Sequence, residues 1–256
     1  MSPAPVTIRT FDAREDQIHG RTDLLRSSRG RLGLQAIRVS LAFRELFRRQ
    51  LRALLAAARH GRLRIMFPFV SGVEELREAK RVLVEARSDL RERGETAPEV
   101  PIGVMIEVPS AALTSDLLAR EADFLSIGTN DLIQCCLAVD RNDERVSHLY
   151  QPLHPAILRL LRLVRRAGQR RGLSVSVCGE MATDPMALIL LIGLGLTEFS
   201  MRPAALPLAR RIARRIRADA AHRFASRLMR GGNAGEIQDD LTRYLDEAQA
   251  REAIQT

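Results

Sequence analysis

The sequence predicts an α/β protein of the (β/α)8 TIM-barrel type, and three observations predict it. Short apolar runs alternate with longer stretches whose apolar residues recur at three- and four-residue steps, the pattern of parallel strands and the helices that cover them. Two successive apolar runs lead into acids, Glu107 and Asp131, and barrels of this kind gather their chemistry at the carboxyl ends of the strands. The length of 256 residues, 46% of them hydrophobic, suits one such barrel and a large core.

The elements follow in order. Residues 6–10 read as a first short strand and 12–33, polar and glycine-bearing, as loop. Apolar spacing predicts one long amphipathic helix over 36–60, ended near Gly61. Strand 64–69 and helix 72–93 come next, then strand 102–107, which a proline at 109 stops. Helix 110–121 and strand 124–128 continue the alternation. Residues 131–139 and 155–170 read as helices, 173–177 as a strand, 184–191 as a helix and 198–201 as a last short strand. A helix over 206–230 closes a barrel domain of residues 1–230, and 231–256 read as a Gly-Gly-Asn hinge and an acidic helix to about residue 252. That is about six strands where a closed barrel needs about eight, so the predicted barrel is incomplete.

Composition narrows the class. The longest apolar run, 186–196, carries two glycines and falls short of the roughly 20 residues needed to span a bilayer, so no membrane span is expected. The N-terminus lacks a basic region followed by an apolar one, which makes a cytoplasmic location the expectation. Three cysteines, two of them adjacent at Cys135 and Cys136, form neither a disulfide framework nor a zinc pattern. The net charge of +9 comes from arginines at helical spacing, and with aromatics at 4% and no tryptophan they read as solvated helix faces, with no nucleic acid as partner.

The chemistry-bearing residues cluster around strand ends. Glu107 and Asp131 suit Mg²⁺, which binds through one or two carboxylates, waters and substrate phosphate. Asn130 adjoins Asp131, Arg141 lies about one helix beyond, Arg9 ends the first strand and Cys178 the fifth. Guanidinium groups, a metal pair and a thiol describe a phosphorylated anionic substrate and a proton-transfer group. Each has a plainer reading. Asn130 and Asp131 suit a helix cap, Arg141 an ion pair with Asp140 or Asp143, and Cys178 a small buried side chain.

Over residues 6–203 the ordered words RIMFP (64–68), GVMIEVP (103–109), SIGTNDL (126–132), AVDR (138–141), LYQPLHP (149–155), CGEM (178–181) and EFSM (198–201) carry a resemblance. The chain resembles the C-terminal phosphoenolpyruvate-binding barrel of enzyme I of the bacterial sugar phosphotransferase system. The resemblance implies that Glu107 and Asp131 hold Mg²⁺ and that Asn130 and Arg141 contact phosphoenolpyruvate. It implies a phosphate clamp at Arg9, a proton donor to the enolate carbon at Cys178, and a homodimer. It also identifies the two absent strands as the first two.

Against the family pattern, the first strands and their substrate arginine have no counterpart; RTDLL at 21–25 looks similar but follows Arg9. A tryptophan-arginine pair has become Leu34-Gln35, and Ala13-Arg14-Glu15-Asp16 replaces a glycine-rich loop. None of His19, His60, His148, His154 and His222 stands in the glycine-rich Ser-His context of the family's phosphohistidine domain, so a histidine phosphocarrier supplied in trans is implied. His154 reads as a turn or interface residue. Two further readings stand beside phosphotransfer: a catalytically impaired metabolite-binding or interaction module, and a related enzyme of phosphoenolpyruvate or pyruvate such as a dikinase, a synthase or an aldolase.

Overall fold

A computed structural model describes residues 4–12 and 34–254, with side chains to residue 244. The polar stretch 13–33, with His19 and the RTDLL word, lies outside the described residues. The chain divides into two compact units, residues 1–125 and 126–256.

In the first unit β1 (Val6–Arg9) is followed by α1 (Ile37–Ala42), α2 (Arg44–Ala57), β2 (Leu63–Phe67), α3 (Val73–Glu92), β3 (Ile102–Ile106), α4 (Pro109–Leu113) and α5 (Ser115–Leu118). β1 pairs with β2 in parallel, Arg9 opposite Met66, and β2 pairs with β3 in parallel, Phe67 opposite Val104. All five residues of β3 are buried, as the unbroken apolar run requires of a strand covered on both faces. Gly103 is fixed by close approach, since a Cβ there would lie 2.2 Å from the Phe124 ring. Asp123 ties the strand that follows to β3: its N–H donates to the Ile102 carbonyl at 2.8 Å, and its carboxylate accepts the Ile102 N–H at 2.7 Å.

The long helix expected over 36–60 is two helices, broken at Phe43 with φ −103° and ψ 54°. The chain resumes the helix at once, so the apolar period runs through the break. α2 buries Phe47, Leu51 and Leu55, and α3 buries Leu76, Ala79, Val82, Leu83, Ala86 and Leu90. The arginines of α2 correct the expectation of solvated faces. Arg44 pairs with Glu78 and Glu85, each at 2.5 Å, and Arg48 and Arg52 both bind Asp89, the latter at 2.6 Å. Asp89 is only 8% exposed; the Arg48 and then the Arg52 hydrogen bonds hold its pKa down at about 2.

β4 (Phe124–Gly128) carries the chain into the second unit, which continues with α6 (Thr129–Leu137), α7 (Pro155–Arg171), β5 (Ser174–Cys178), α8 (Pro185–Gly193), β6 (Glu198–Phe199), α9 (Leu206–Arg215), α10 (Ala218–Leu228) and α11 (Ala234–Ile254). β4, β5 and β6 are neighbours in that order, and β5 pairs with β6 in parallel, Val177 opposite Phe199. The described strands therefore number six, of a parallel α/β architecture of the barrel type, as the sequence predicts.

α7 starts at a proline with His154 as its cap, the imidazole Nδ1 accepting the Ala156 N–H at 3.1 Å, and stops at Gly172 in the left-handed region. His154 is thus the turn residue expected. The apolar run 186–196 is largely α8, whose residues 187–191 are all buried. Close packing on α10 leaves no room beside Gly193, where a Cβ would lie 2.4 Å from the Ala221 carbonyl. The single helix expected over 206–230 is also two, separated at Ile216 and Arg217, and that over 110–121 breaks at Thr114. The C-terminal helix is anchored by buried Ile237 and Leu241 and by Tyr244 stacked on Phe224 at 4.0 Å. No described helix is long and apolar enough to cross a membrane.

Candidate functional site

In the first unit β1 ends at Arg9, whose guanidinium pairs with Asp12 at 2.7 Å and is about half exposed. Glu107 follows β3 and is only 3% exposed. Its Oε1 accepts the Phe69 N–H at 2.6 Å, and Phe69 reaches that position with φ 55°, an uncommon conformation for a bulky residue. The Arg38 guanidinium lies over the Phe69 ring, 5.7 Å from its centroid, and bonds Glu75 at 2.7 Å. The loop after β2 thus orients the Glu107 carboxylate. Gln35, half-buried, precedes α1.

In the second unit the strand-end residues form one network. β4 runs into α6 without a side-chain cap, because Gly128 holds the cap position. Asn130 is not the helix cap; its Oδ1 accepts the Glu180 N–H at 3.0 Å. Thr129 Oγ1 donates to the Cys178 carbonyl at 2.9 Å. Between these contacts sits Gly179 at φ 102°, where a Cβ would lie 2.4 Å from Thr129 Oγ1 and 2.8 Å from Asn130 Oδ1. The CGEM word therefore turns as it does because only glycine fits between β5 and the start of α6.

Gln134 joins the next pair. Its Nε2 donates to Asp131 Oδ1 at 3.1 Å, and its Oε1 accepts the Arg141 N–H at 3.0 Å. Ala138, left-handed at φ 55°, ends α6 and returns the chain so that Arg141 reaches Gln134. The Arg141 guanidinium then binds Glu180 at 2.7 Å. Neither acid expected as its partner takes that role: Asp140 accepts the Asn142 N–H at 2.9 Å, and Asp143 pairs with Arg145 at 2.6 Å. The Cys178 thiol donates to the Ile127 carbonyl at 3.4 Å and lies 3.7 Å from Ser126 Oγ, which itself accepts from Ser176 at 2.9 Å.

Asn130, Asp131, Arg141 and Cys178 are thus linked within the second unit, while Arg9 and Glu107 belong to the first. Sequence reasoning missed Glu180, Gln134 and Tyr150. All three stand within or beside the recognised words, but no spacing reveals that Glu180 meets Arg141. A cleft of about 470 Å³ opens over this network, lined by Arg141, Asn142, Ser147, Tyr150 and Glu180. It presents a guanidinium, an amide and hydroxyls, a donor set for the oxygens of a small anion.

Among the described residues no group of three or more His, Cys, Asp or Glu side chains is placed to hold a metal ion. Mg²⁺ does not require such a group, since that ion keeps waters and takes substrate oxygens. Glu107 in the first unit and Asp131 in the second are each hard oxygen donors, the type that Mg²⁺ takes, and each is oriented by a donor from its own unit.

The frame is that of a parallel α/β protein of the barrel type, with acid, amide and thiol at the ends of its strands. The chain belongs to the family described as PEP-utilising enzyme, PEP-binding domain, whose sequence model matches residues 1–218. It is similar to proteins named phosphoenolpyruvate-protein phosphotransferase. That of Priestia megaterium is 47% identical over 82% of this chain and 37% of the relative. That of Staphylococcus carnosus is 44% identical over 95% and 43%, and that of Bacillus subtilis 42% over 93% and 42%. The chain thus spans about two fifths of the length of these relatives. Among solved structures, a citrate lyase from Burkholderia xenovorans superposes with a TM-score of 0.49 at 19% identity, over 80% of this chain and 69% of that one.

Proposed function

We propose that this chain, through a domain over residues 1–230, is the phosphoenolpyruvate-binding part of a phosphotransferase. It delivers the phosphoryl group to a histidine on a separate domain or chain and releases pyruvate. The family match over residues 1–218 carries this reading.

The reaction breaks the bond between phosphorus and the enol oxygen, forms one to an imidazole nitrogen, and leaves an enolate that takes a proton at carbon. Little covalent work falls to the binding domain; positioning and charge stabilisation dominate. Arg141 supplies a guanidinium to the anion, and Asn130 fixes the turn that carries Cys178 and Glu180. Cys178 keeps its proton on a backbone acceptor, ready for transfer to the enolate carbon. Glu107 and Asp131 would hold Mg²⁺, which when bound neutralises charge on the phosphate. Arg9 would add a second guanidinium.

A second reading, a binding module with impaired turnover, rests on Gln35, which offers hydrogen bonds without charge where the family word has arginine. The two separate on one experiment. Labelled phosphoenolpyruvate and Mg²⁺ are incubated with this chain and the separately produced histidine domain of a relative. Label on that domain supports phosphotransfer; binding without label supports the module; no binding at millimolar ligand rejects both.

A further inference from the structure

We propose that the Tyr150 hydroxyl is a further substrate contact: a neutral donor to an oxygen of the small anion held at Arg141. The inference rests on the reading of this cleft as the phosphoenolpyruvate site.

Tyr150 follows the short turn Ser147–Leu149 and lines the cleft with Arg141 and Glu180. Its hydroxyl oxygen is buried, yet it has no hydrogen-bond partner among the described residues. A buried hydroxyl left without a partner is destabilising, and native structures seldom retain one without a role. Here the surroundings show what would satisfy it. Burial, and then the negative charge of Glu180, push the phenol pKa up to about 12, so at neutral pH the group is a proton donor. The carboxylates around it, Glu180 and Asp131, already accept hydrogen bonds from Arg141 and Gln134. An anion paired with the Arg141 guanidinium brings an acceptor oxygen into the cleft that the phenol lines, and it needs no further positive charge to be recognised there. A phenol that stays neutral contributes this contact without repelling a substrate oxygen.

The test compares the parent chain with Tyr150→Phe, an isosteric change that removes only the oxygen. Phosphoenolpyruvate binding with Mg²⁺ is measured by calorimetry, and thermal unfolding is measured without ligand. The expected result is affinity about tenfold weaker in Y150F, as for loss of a hydrogen bond to a charged group, with a melting temperature equal to or above the parent's. Affinity within twofold of the parent overturns the inference alone. A lowered melting temperature without ligand also overturns it, because the hydroxyl would then be serving the fold. No binding by the parent chain overturns the reading of the site itself, and the inference with it.

Discussion

At the scale of single residues, the decisive contact is Arg141 with Glu180, because the guanidinium assigned to the substrate already holds a carboxylate. Arg141 is 34% and Glu180 70% exposed, so the pair is a surface ion pair worth about 0.2–1 kcal/mol. An incoming anion must exchange with it. Glu180→Gln is therefore expected to tighten phosphoenolpyruvate binding by about two- to fivefold, measured by calorimetry; unchanged or weaker binding would mean that Glu180 does not compete. Gly179→Ala acts in the opposite direction. At φ 102° and ψ −171° the backbone is in a region open essentially to glycine, and the new methyl would press on Thr129 and Asn130. Loss of about 2 kcal/mol or more of stability is expected in denaturant unfolding. What the sequence revealed at this scale was residue type at strand ends: Asn130, Asp131, Arg141 and Cys178 are marked by the motifs they stand in. The partners were hidden because backbone turns choose them. Left-handed Ala138 and extended, positive-φ Gly179 swing Arg141 and Glu180 together across 39 residues of sequence.

At the scale of elements, apolar period located every described strand and most of the described helices, since burial against a sheet or a neighbouring helix is what the period records. Breaks at Phe43, Thr114 and Ile216 escaped it, because each is only one or two residues long and a helix starts again directly after it. The arginine-rich face of α2 was legible as a face but not as a partnered one. Its register against α3 sets Arg44 between Glu78 and Glu85 and closes Arg48 and Arg52 on Asp89. Asp89 makes this junction sensitive to acid. Its folded pKa of about 2 lies below the ordinary aspartate value of about 3.9, so its contribution is fully present well above the latter and lost as pH falls through the former. Melting temperature measured from pH 7 down to pH 2 should fall more steeply in the parent than in Asp89→Asn, and D89N should be less stable at pH 7. Parallel curves for the two proteins would remove Asp89 from the acid response.

At the scale of the whole molecule, the relation between this chain and its relatives bears on where phosphate ends up. The chain spans 37–43% of their length, and its match to the PEP-binding family takes up residues 1–218 of it. A domain that binds phosphoenolpyruvate and stabilises the transferring group still needs an imidazole in line with phosphorus. Of the three histidines in the second unit, His154 spends its Nδ1 on the α7 cap, His222 sets its Nδ1 3.1 Å from the Gly193 carbonyl beneath α8, and His148 is exposed in the turn Ser147–Leu149; none stands in the glycine-rich Ser-His context of the family's acceptor domain. Label from phosphoenolpyruvate is therefore expected to stay off this chain when it is incubated alone with Mg²⁺, and to appear on a histidine domain added in trans. The homodimer that the resemblance implies is expected to be visible as two chains sedimenting together at twice 28.6 kDa. The exposed apolar side chains of α9, Leu206 at 38% and Leu208 at 42%, leave surface on the second unit for association. A chain that sediments as a monomer yet phosphorylates the added domain would separate transfer from dimerisation. A chain that labels itself would place the acceptor histidine within these 256 residues and overturn the need for a partner.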